Sequence, residues 1–262
     1  QPPRDEPRRG QEAAARDGLQ RSNEELEARV AERTAALAQS NRELEAFSYS
    51  ASHDLRAPLR SMAGFAEVLH EDYGDRLDEE GRSHLQRIRR AAIRMGNLID
   101  DLLQLARVSQ AELSKAPLNL SELAQGVLDD VASDNPDRSV KVTLQKDMIA
   151  AGDPVLLLVA LQNLIENAWK YSAQRADAEI AFGAQSLPDG QLAYFVRDNG
   201  SGFDMAQAGR LFQPFVRLHG GEEYPGTGIG LATVARIIER HGGRIWAEAE
   251  KDKGATFFFT LG

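Results

Sequence analysis

Four short stretches of the sequence carry side chains whose types and spacing suit phosphate chemistry. The first is residues 48–62, where His53 is followed directly by Asp54. An imidazole is a nucleophile near neutral pH, and an adjacent carboxylate can accept its proton. Pro58 removes a backbone donor from the same predicted helix and favours a bend just beyond the histidine. An exposed helical histidine is more often simply solvated, so this stretch alone does not assign a role.

The second stretch, residues 161–172, places amides and a cation on one predicted helix face. Asn163 and Asn167 are four residues apart, and Lys170 lies one turn beyond Asn167. Amide oxygens are hard ligands of the kind that Mg²⁺ binds, together with water and substrate phosphates. The alternative is an ordinary helix surface, on which asparagines are common.

The third stretch, residues 197–204, combines a carboxylate with glycines. Asp198 ends a predicted strand and faces a loop in which Gly200 and Gly202 allow close approach of the backbone. A carboxylate in this position can accept a hydrogen bond from an exocyclic amine such as N6 of adenine. An ordinary tight turn is the alternative.

The fourth stretch, residues 225–234, is rich in glycine and precedes a predicted helix. The backbone amides of Gly226, Gly228 and Gly230 could meet a polyphosphate at the positive end of that helix. The stretch lacks the Gly-Lys-Ser/Thr ending of a P-loop and the spacing of a dinucleotide fingerprint.

The first stretch belongs to a helical region. Apolar residues recur every seven positions over residues 19–47, which predicts a coiled coil, with a long helix packed within one monomer as the alternative. The apolar stripe continues to a turn at residues 72–75, and at about 100° per residue His53 points away from it. A second amphipathic helix covers residues 85–105. We expect residues 48–108 to form a helical hairpin that dimerises into a four-helix bundle.

The other three stretches belong to a region of mixed strands and helices. Helices are predicted at 120–132, 153–171 and 229–241, and strands at 139–145, 177–183 and 191–198, before a final hairpin. Because strands and helices do not alternate regularly, residues 118–262 are expected to form an α+β sandwich. We assign residues 109–117 to a linker and residues 1–18 to a disordered segment.

Composition excludes several classes of protein. The chain has 262 residues, no cysteine and a net charge of −9. Disulfides, thiolate catalysis and cysteine-bound zinc are therefore excluded, and general nucleic-acid binding is disfavoured. No run of 18 apolar residues exists, and the chain begins at a glutamine. We expect a cytoplasmic, C-terminal part of a longer protein whose upstream portion is missing.

The order and spacing of the motifs are more specific than any one of them. The chain resembles a sensor histidine kinase of a two-component system over residues 45–262. The stretch SHDLRAPLR resembles the H box, NLIENAWKYS the N box, DNGSGFD and GTGIGL the two glycine boxes, and LFQPFVRL the F box. The resemblance implies a dimerisation and phosphotransfer hairpin followed by a catalytic ATP-binding domain of the GHKL type.

The resemblance also implies a role for individual residues. His53 would attack the γ-phosphate of ATP with Asp54 as its acid–base partner, and Asn167 would hold Mg²⁺ with Asn163 assisting. Lys170 and Tyr171 would contact phosphates and ribose. The remaining implied positions form the adenine site, the pocket and the lid: Asp198, Gly200, Gly202, Phe212, Phe215, Arg217, Gly226, Gly228 and Gly230. The implied partners are a second copy of the chain and the receiver domain of a response regulator. The resemblance also implies an upstream sensor domain, with or without a membrane anchor, that is missing from this chain.

Two other functions remain open at this stage. One is an ATP-hydrolysing machine of the gyrase or Hsp90 type, which carries a water-activating glutamate four residues before the Mg²⁺-binding asparagine; here that position is Asn163. The other is a non-catalytic dimeric scaffold. One departure concerns Ala57, where phosphatase-active kinases usually carry Thr or Asn. Because a methyl group cannot orient water, we expect weak phosphatase activity.

Overall fold

The structure is a computed structural model that describes residues 20, 25–26, 28–30, 32–33, 36, 39, 52, 54–110, 112–218, 224 and 226–262. The chain divides into a unit spanning Gln1–Ala51 and a larger unit spanning Ser52–Gly262. The described residues of the first unit are helical, as the heptad pattern predicts. Residues 1–18, predicted to be disordered, and His53 lie outside the described residues.

A helical hairpin opens the larger unit. Helix α1 covers residues 54–73, a 3-10 turn covers Gly74–Arg76, and helix α2 covers Glu79–Gln110. Ion pairs cross the hairpin: Arg89 Nε lies 2.5 Å from Glu67 Oε2, and Arg56 Nε donates to Asp100 Oδ1 at 2.7 Å. Two helices and a turn therefore form where the sequence predicts them.

The apolar stripe of the hairpin is only partly buried. Leu59 and Ala66 are buried. Other apolar side chains are exposed in two rows with a spacing of seven residues, namely Leu55, Met62 and Leu69 in α1 and Ile88, Met95 and Leu102 in α2. A heptad spacing is the pattern of a helix that packs against further helices. A single copy of the hairpin leaves both rows uncovered.

The remainder of the larger unit is a sheet covered by helices. Its further elements, in chain order, are β1 (Ala116–Asn119), α3 (Leu120–Ser133), β2 (Lys141–Leu144), β3 (Ile149–Gly152), α4 (Pro154–Tyr171), β4 (Glu179–Ser186), β5 (Leu192–Asp198), a 3-10 turn (Met205–Arg210), α5 (Gly230–Arg240), β6 (Ile245–Glu250) and β7 (Gly254–Phe259). Five strands form a sheet in the order β2-β4-β5-β7-β6, in which only the β2–β4 pair is parallel. The expected α+β sandwich is confirmed.

Helix α4 is the central element of the helical layer. It contacts α3, α5 and the middle strand β5, and its apolar face is fully buried at Leu157, Leu161, Leu164 and Ile165. Its start is strongly specified, because Asp153 accepts hydrogen bonds from the backbone N–H groups of the first turn and Pro154 takes the first helical position. The buried face leaves the opposite face of α4 to line a cavity.

Two short strands were not anticipated. Strands β1 and β3 form a separate antiparallel pair, in the register Ala116↔Gly152 to Asn119↔Ile149. Each has four residues, too few for an alternating pattern to be recognised. Strand β1 begins at Ala116, two residues before the start of the sheet domain predicted at residue 118. The domain boundaries drawn from the sequence stay a prediction.

Part of the predicted linker is bound to the sheet domain. The backbone N–H of Ser114 donates to Asp153 Oδ2 at 3.0 Å. Lys115 Nζ donates to the carbonyl oxygens of His241 and Gly262 at 3.2 and 2.9 Å. Among the described residues, no helix has both the length and the hydropathy needed to cross a membrane.

Candidate active site

A cavity of about 370 Å³ lies between α4, the end of β5, the glycine-rich segment before α5 and helix α2. It brings together most of the site residues predicted from the sequence: Asn163, Asn167, Lys170, Tyr171, Asp198, Gly202, Arg217, Gly226, Gly228 and Gly230. Gly200, Phe212 and Phe215 are not among its lining residues, and Asp54 is exposed on α1. The position of His53 relative to the cavity lies outside the described residues.

Asp198 is placed in the cavity by the alternation of strand β5. Tyr194, Val196 and Asp198 share the face that the helices cover, and Asp198 is the last residue of the strand. Its Oδ1 accepts a hydrogen bond from the Gly200 N–H at 2.8 Å. Burial raises the pKa of Asp198 to about 6, although backbone hydrogen bonds from Gly200 and Ala255 oppose the rise. The result is a buried carboxylate with acceptor capacity at one end of the cavity.

The loop after Asp198 requires glycine where it passes under strand β6. Gly202 has a φ of 56°, and a Cβ atom there would collide with the carbonyl group of Glu250. Gly200 is similarly close to the carbonyl of Tyr171, so it shapes the loop from outside the cavity. Five apolar side chains to which the sequence analysis gave no individual role also line the cavity: Phe203, Leu211, Leu218, Leu231 and Phe257. A flat aromatic base next to a buried acceptor fits such a surface.

The polar face of α4 forms one wall of the cavity. Lys170 Nζ donates to Asn167 Oδ1 at 3.0 Å and lies 4.3 Å from the centre of the Tyr171 ring. Asn163 Nδ2 donates to the carbonyl oxygen of Val159 at 2.9 Å. Asn163 Oδ1 lies so close to Gly230 that a Cβ atom at residue 230 would collide with it. The side chain of Asn163 therefore packs directly against the start of α5.

Burial and neighbouring charges shift the ionisable groups of this wall. Burial, together with the nearby Arg217, lowers the pKa of Lys170 to about 8, and Glu166 opposes this shift. Burial also raises the pKa of Glu166, with Lys170 opposing the rise and Asp101 adding to it. A half-buried lysine beside an arginine is arranged to bind an anion, which would stabilise the charged form of the lysine.

The described residues of the segment between β5 and α5 contribute Arg217 and Gly228 to the cavity wall. Phe215 is 58% exposed with a φ of 66°, and its N–H donates to the carbonyl oxygen of Gly228 at 2.9 Å. Arg217 donates to the carbonyl oxygen of Tyr224, whose ring lies 4.9 Å from that of Tyr171. Gly228 has a φ of 81°, which favours glycine. Residues 219–223 and 225 of this segment lie outside the described residues.

Helix α2 supplies a wall that the motifs did not predict. Asn97, Asp100 and Asp101 line the cavity, and Asp101 Oδ2 accepts a hydrogen bond from the hydroxyl of Thr227. Glu166 was also missed, although its place directly before Asn167 could have revealed it. The α2 residues leave no such signal, because Asp101 and Thr227 are 126 positions apart in the chain.

The donor set fits a purine nucleoside polyphosphate. Asp198 and the apolar side chains suit the base, whereas Lys170 and Arg217 suit phosphates. Asn167 Oδ1, beside Lys170, is a hard oxygen of the kind that Mg²⁺ binds. The missing side chain of Gly202 lets the loop that follows Asp198 pack against the carbonyl groups of Glu250 and Gly254.

Two family models match the chain. Residues 152–262 match the histidine kinase-, DNA gyrase B- and HSP90-like ATPase family, and residues 43–111 match the His Kinase A (phospho-acceptor) domain. The first match contains the N box and both glycine boxes, and the second contains His53.

Curated relatives and a solved structure show the same likeness. Cyanobacterial phytochrome B of Nostoc is 37% identical over 86% of this chain and 30% of its own length. The methanogenesis regulatory histidine kinase FilI of Methanothrix harundinacea is 36% identical over 94% of this chain and 27% of its own length. Full-length ShkA in complex with AMPPNP superimposes with a TM-score of 0.57 at 26% identity, over 82% of this chain and 45% of that one. The chain spans less than a third of the length of these two curated relatives.

Proposed function

The chain belongs to the sensor histidine kinases, and on that premise we propose that it phosphorylates His53 with Mg·ATP and passes the phosphoryl group to an aspartate of a response-regulator receiver domain. The observation that carries the proposal is the single cavity that joins Asp198, Asn167, Lys170 and the glycine-rich segment. The match to a phospho-acceptor domain that contains His53 supplies the acceptor. ShkA, which is similar over most of this chain, was solved with an ATP analogue, which supports ATP as the nucleotide.

The proposed step uses the residues as follows. An imidazole nitrogen of His53 forms a bond to the γ-phosphorus, while the bond from that phosphorus to the β,γ-bridging oxygen breaks and ADP leaves. The imidazole proton passes to Asp54, the neighbouring carboxylate. Asp198 accepts a hydrogen bond from the adenine amine, and Lys170 and Arg217 bind phosphate oxygens. Asn163 positions Gly230 at the start of α5, which keeps the glycine segment beside the phosphates.

A magnesium ion is part of the proposal. Asn167 would hold it, since its side-chain oxygen lies in the cavity beside Lys170. When bound with ATP, Mg²⁺ neutralises phosphate charge that develops during transfer. The transfer would take place in the cytoplasm. The proposal covers transfer to His53 from the ATP site of the same chain as well as from that of a partner chain.

The contacts of Asn163 disfavour a hydrolytic machine of the gyrase or Hsp90 type. Such a machine needs a carboxylate that activates water at this position, whereas Asn163 donates to Val159 and abuts Gly230. An amide has no basic site that could take a proton from water.

Weak phosphatase activity, inferred from the exposed Ala57 on α1, also stays a prediction.

Incubation with γ-labelled ATP tests the proposal. We expect label on the protein that is stable in base and labile in acid, as a phosphohistidine is. His53→Gln should abolish labelling and leave nucleotide affinity unchanged, because the substitution removes the acceptor and not the cavity. Asp198→Asn should reduce both labelling and affinity. Label that persists in His53→Gln would contradict the assignment of His53, and release of free phosphate without labelling would favour the hydrolytic machine.

A further inference from the structure

Helix α2 brings negative charge to the end of the cavity where phosphates would bind. Asp101 accepts a hydrogen bond from Thr227, which lies between Gly226 and Gly228. The same carboxylate acts electrostatically on Glu166, the residue before Asn167. Asp101 thus stands beside the glycine segment and near Glu166, and it lines the same cavity as Asn167 and Lys170.

The partner of Asp101 does not neutralise its charge. Thr227 offers a neutral hydroxyl, whereas the neighbouring Asp100 forms an ion pair with Arg56 of α1. The two cations that would attract phosphates, Lys170 and Arg217, belong to the sheet domain.

On the basis of this geometry, and resting on the proposed function, we infer that Asp101 is a specificity-determining residue of the nucleotide site. As long as α2 forms a wall of the cavity, the charge of Asp101 weakens the binding of a nucleotide in proportion to the charge of its phosphates. Like charges a few ångströms apart repel more strongly in a partly desolvated cavity than in water. The repulsion is absent for adenosine, which carries no phosphate, smaller for ADP and largest for ATP.

The discrimination couples the nucleotide to the position of α2. A ligand that binds one arrangement less tightly shifts the protein towards the other by its difference in affinity. ATP therefore favours arrangements in which Asp101 has left the glycine segment and broken its hydrogen bond with Thr227. ADP, the product, carries less phosphate charge than ATP, so it opposes the arrangement in which α2 lines the cavity less strongly than ATP does.

The variant Asp101→Asn tests the role of the charge. Asparagine has nearly the same shape and keeps an oxygen that accepts from Thr227, so only the negative charge is lost. Asp129→Asn is the matched control, because Asp129 is an exposed aspartate on α3 that does not line the cavity. Calorimetric titration of the whole chain with adenosine, ADP and ATP in Mg²⁺ buffer at low salt measures the three affinities for each protein.

We expect Asp101→Asn to tighten ATP binding about 3- to 10-fold, ADP binding less, and adenosine binding not at all, as repulsion between like charges requires. The gain should shrink as salt is raised towards 1 M, where charges are screened within about 3 Å. Asp129→Asn should leave all three affinities unchanged.

Equal affinities in Asp101→Asn and wild type would overturn the inference, as would an equal gain for all three ligands. Weaker binding of Mg·ATP in the variant would also overturn it, because the carboxylate would then be binding the cation. Failure of the wild-type chain to bind any of the three ligands would count against the proposed function itself, so the two failures are distinguishable.

Discussion

At the scale of single residues, the cavity contains ionisable side chains whose charged forms are poorly solvated. Burial raises the pKa of Asp198 and lowers that of Lys170, which means that each group's charged form is destabilised in the unliganded protein. A hydrogen bond from adenine to Asp198, or a phosphate beside Lys170, would recover part of that free energy. Binding residues of this kind stabilise the complex at the expense of the free protein.

We predict that Asp198→Asn stabilises the free protein and weakens ATP binding. In the folded protein the pKa of Asp198 is raised from its ordinary value of 3.8 to about 6. The protonated carboxyl group therefore favours the folded state below pH 4, and this stabilisation is lost as the pH rises through 6. Removing the charge should raise the free energy of unfolding at pH 7.5 by about 2–3 kcal/mol, and leave it unchanged near pH 3.5. Urea unfolding at the two pH values measures the effect. A loss of stability at pH 7.5 would contradict it.

At the scale of elements, helix α4 is fixed at its start by groups that are distant in the chain. Asp153 accepts from the N–H groups of Val155 and Leu156 and from that of Ser114. Its own N–H donates to Nε2 of His241, a fully buried ring at the end of α5. The α4 start thus joins the predicted linker to α5, and it holds the helix that carries Asn167 and Lys170.

We predict that Asp153→Ala destabilises the sheet domain by about 1–2 kcal/mol, the usual cost of removing a helix N-cap. The matched control is Asp129→Ala, on the exposed face of α3 and away from a helix start. Thermal unfolding followed by circular dichroism compares the two variants. Equal melting temperatures in both would show that the cap contributes nothing to stability.

At the scale of the whole molecule, the hairpin exposes more apolar surface than a single copy covers. The exposed rows of α1 and α2 repeat every seven residues, the spacing of helices that pack in bundles. The phospho-acceptor domain match covers the same residues. We therefore propose a homodimer in which a second hairpin covers both rows.

We predict a mass of twice 28.8 kDa for the chain at micromolar concentration, by light scattering after size exclusion. Leu69→Glu should shift the mass towards that of the monomer, because it places a charge in the covered row. Leu192→Glu is the control, since Leu192 is similarly exposed (42% against 45%) but begins strand β5. A monomeric wild type, or dimers in all three proteins, would contradict the proposed interface.

Local sequence determined the helices, most of the strands and many of the residues that line the cavity. Asn163, Asn167 and Lys170 share a face because the helical period is local, and Asp198 ends a strand whose alternation is visible in the sequence. Tertiary structure alone decided that α2 closes the cavity, that Asp101 meets Thr227, and that β1 pairs with β3. These contacts join residues far apart in the chain, and four-residue strands and single aspartates carry no periodic pattern that could indicate their partners.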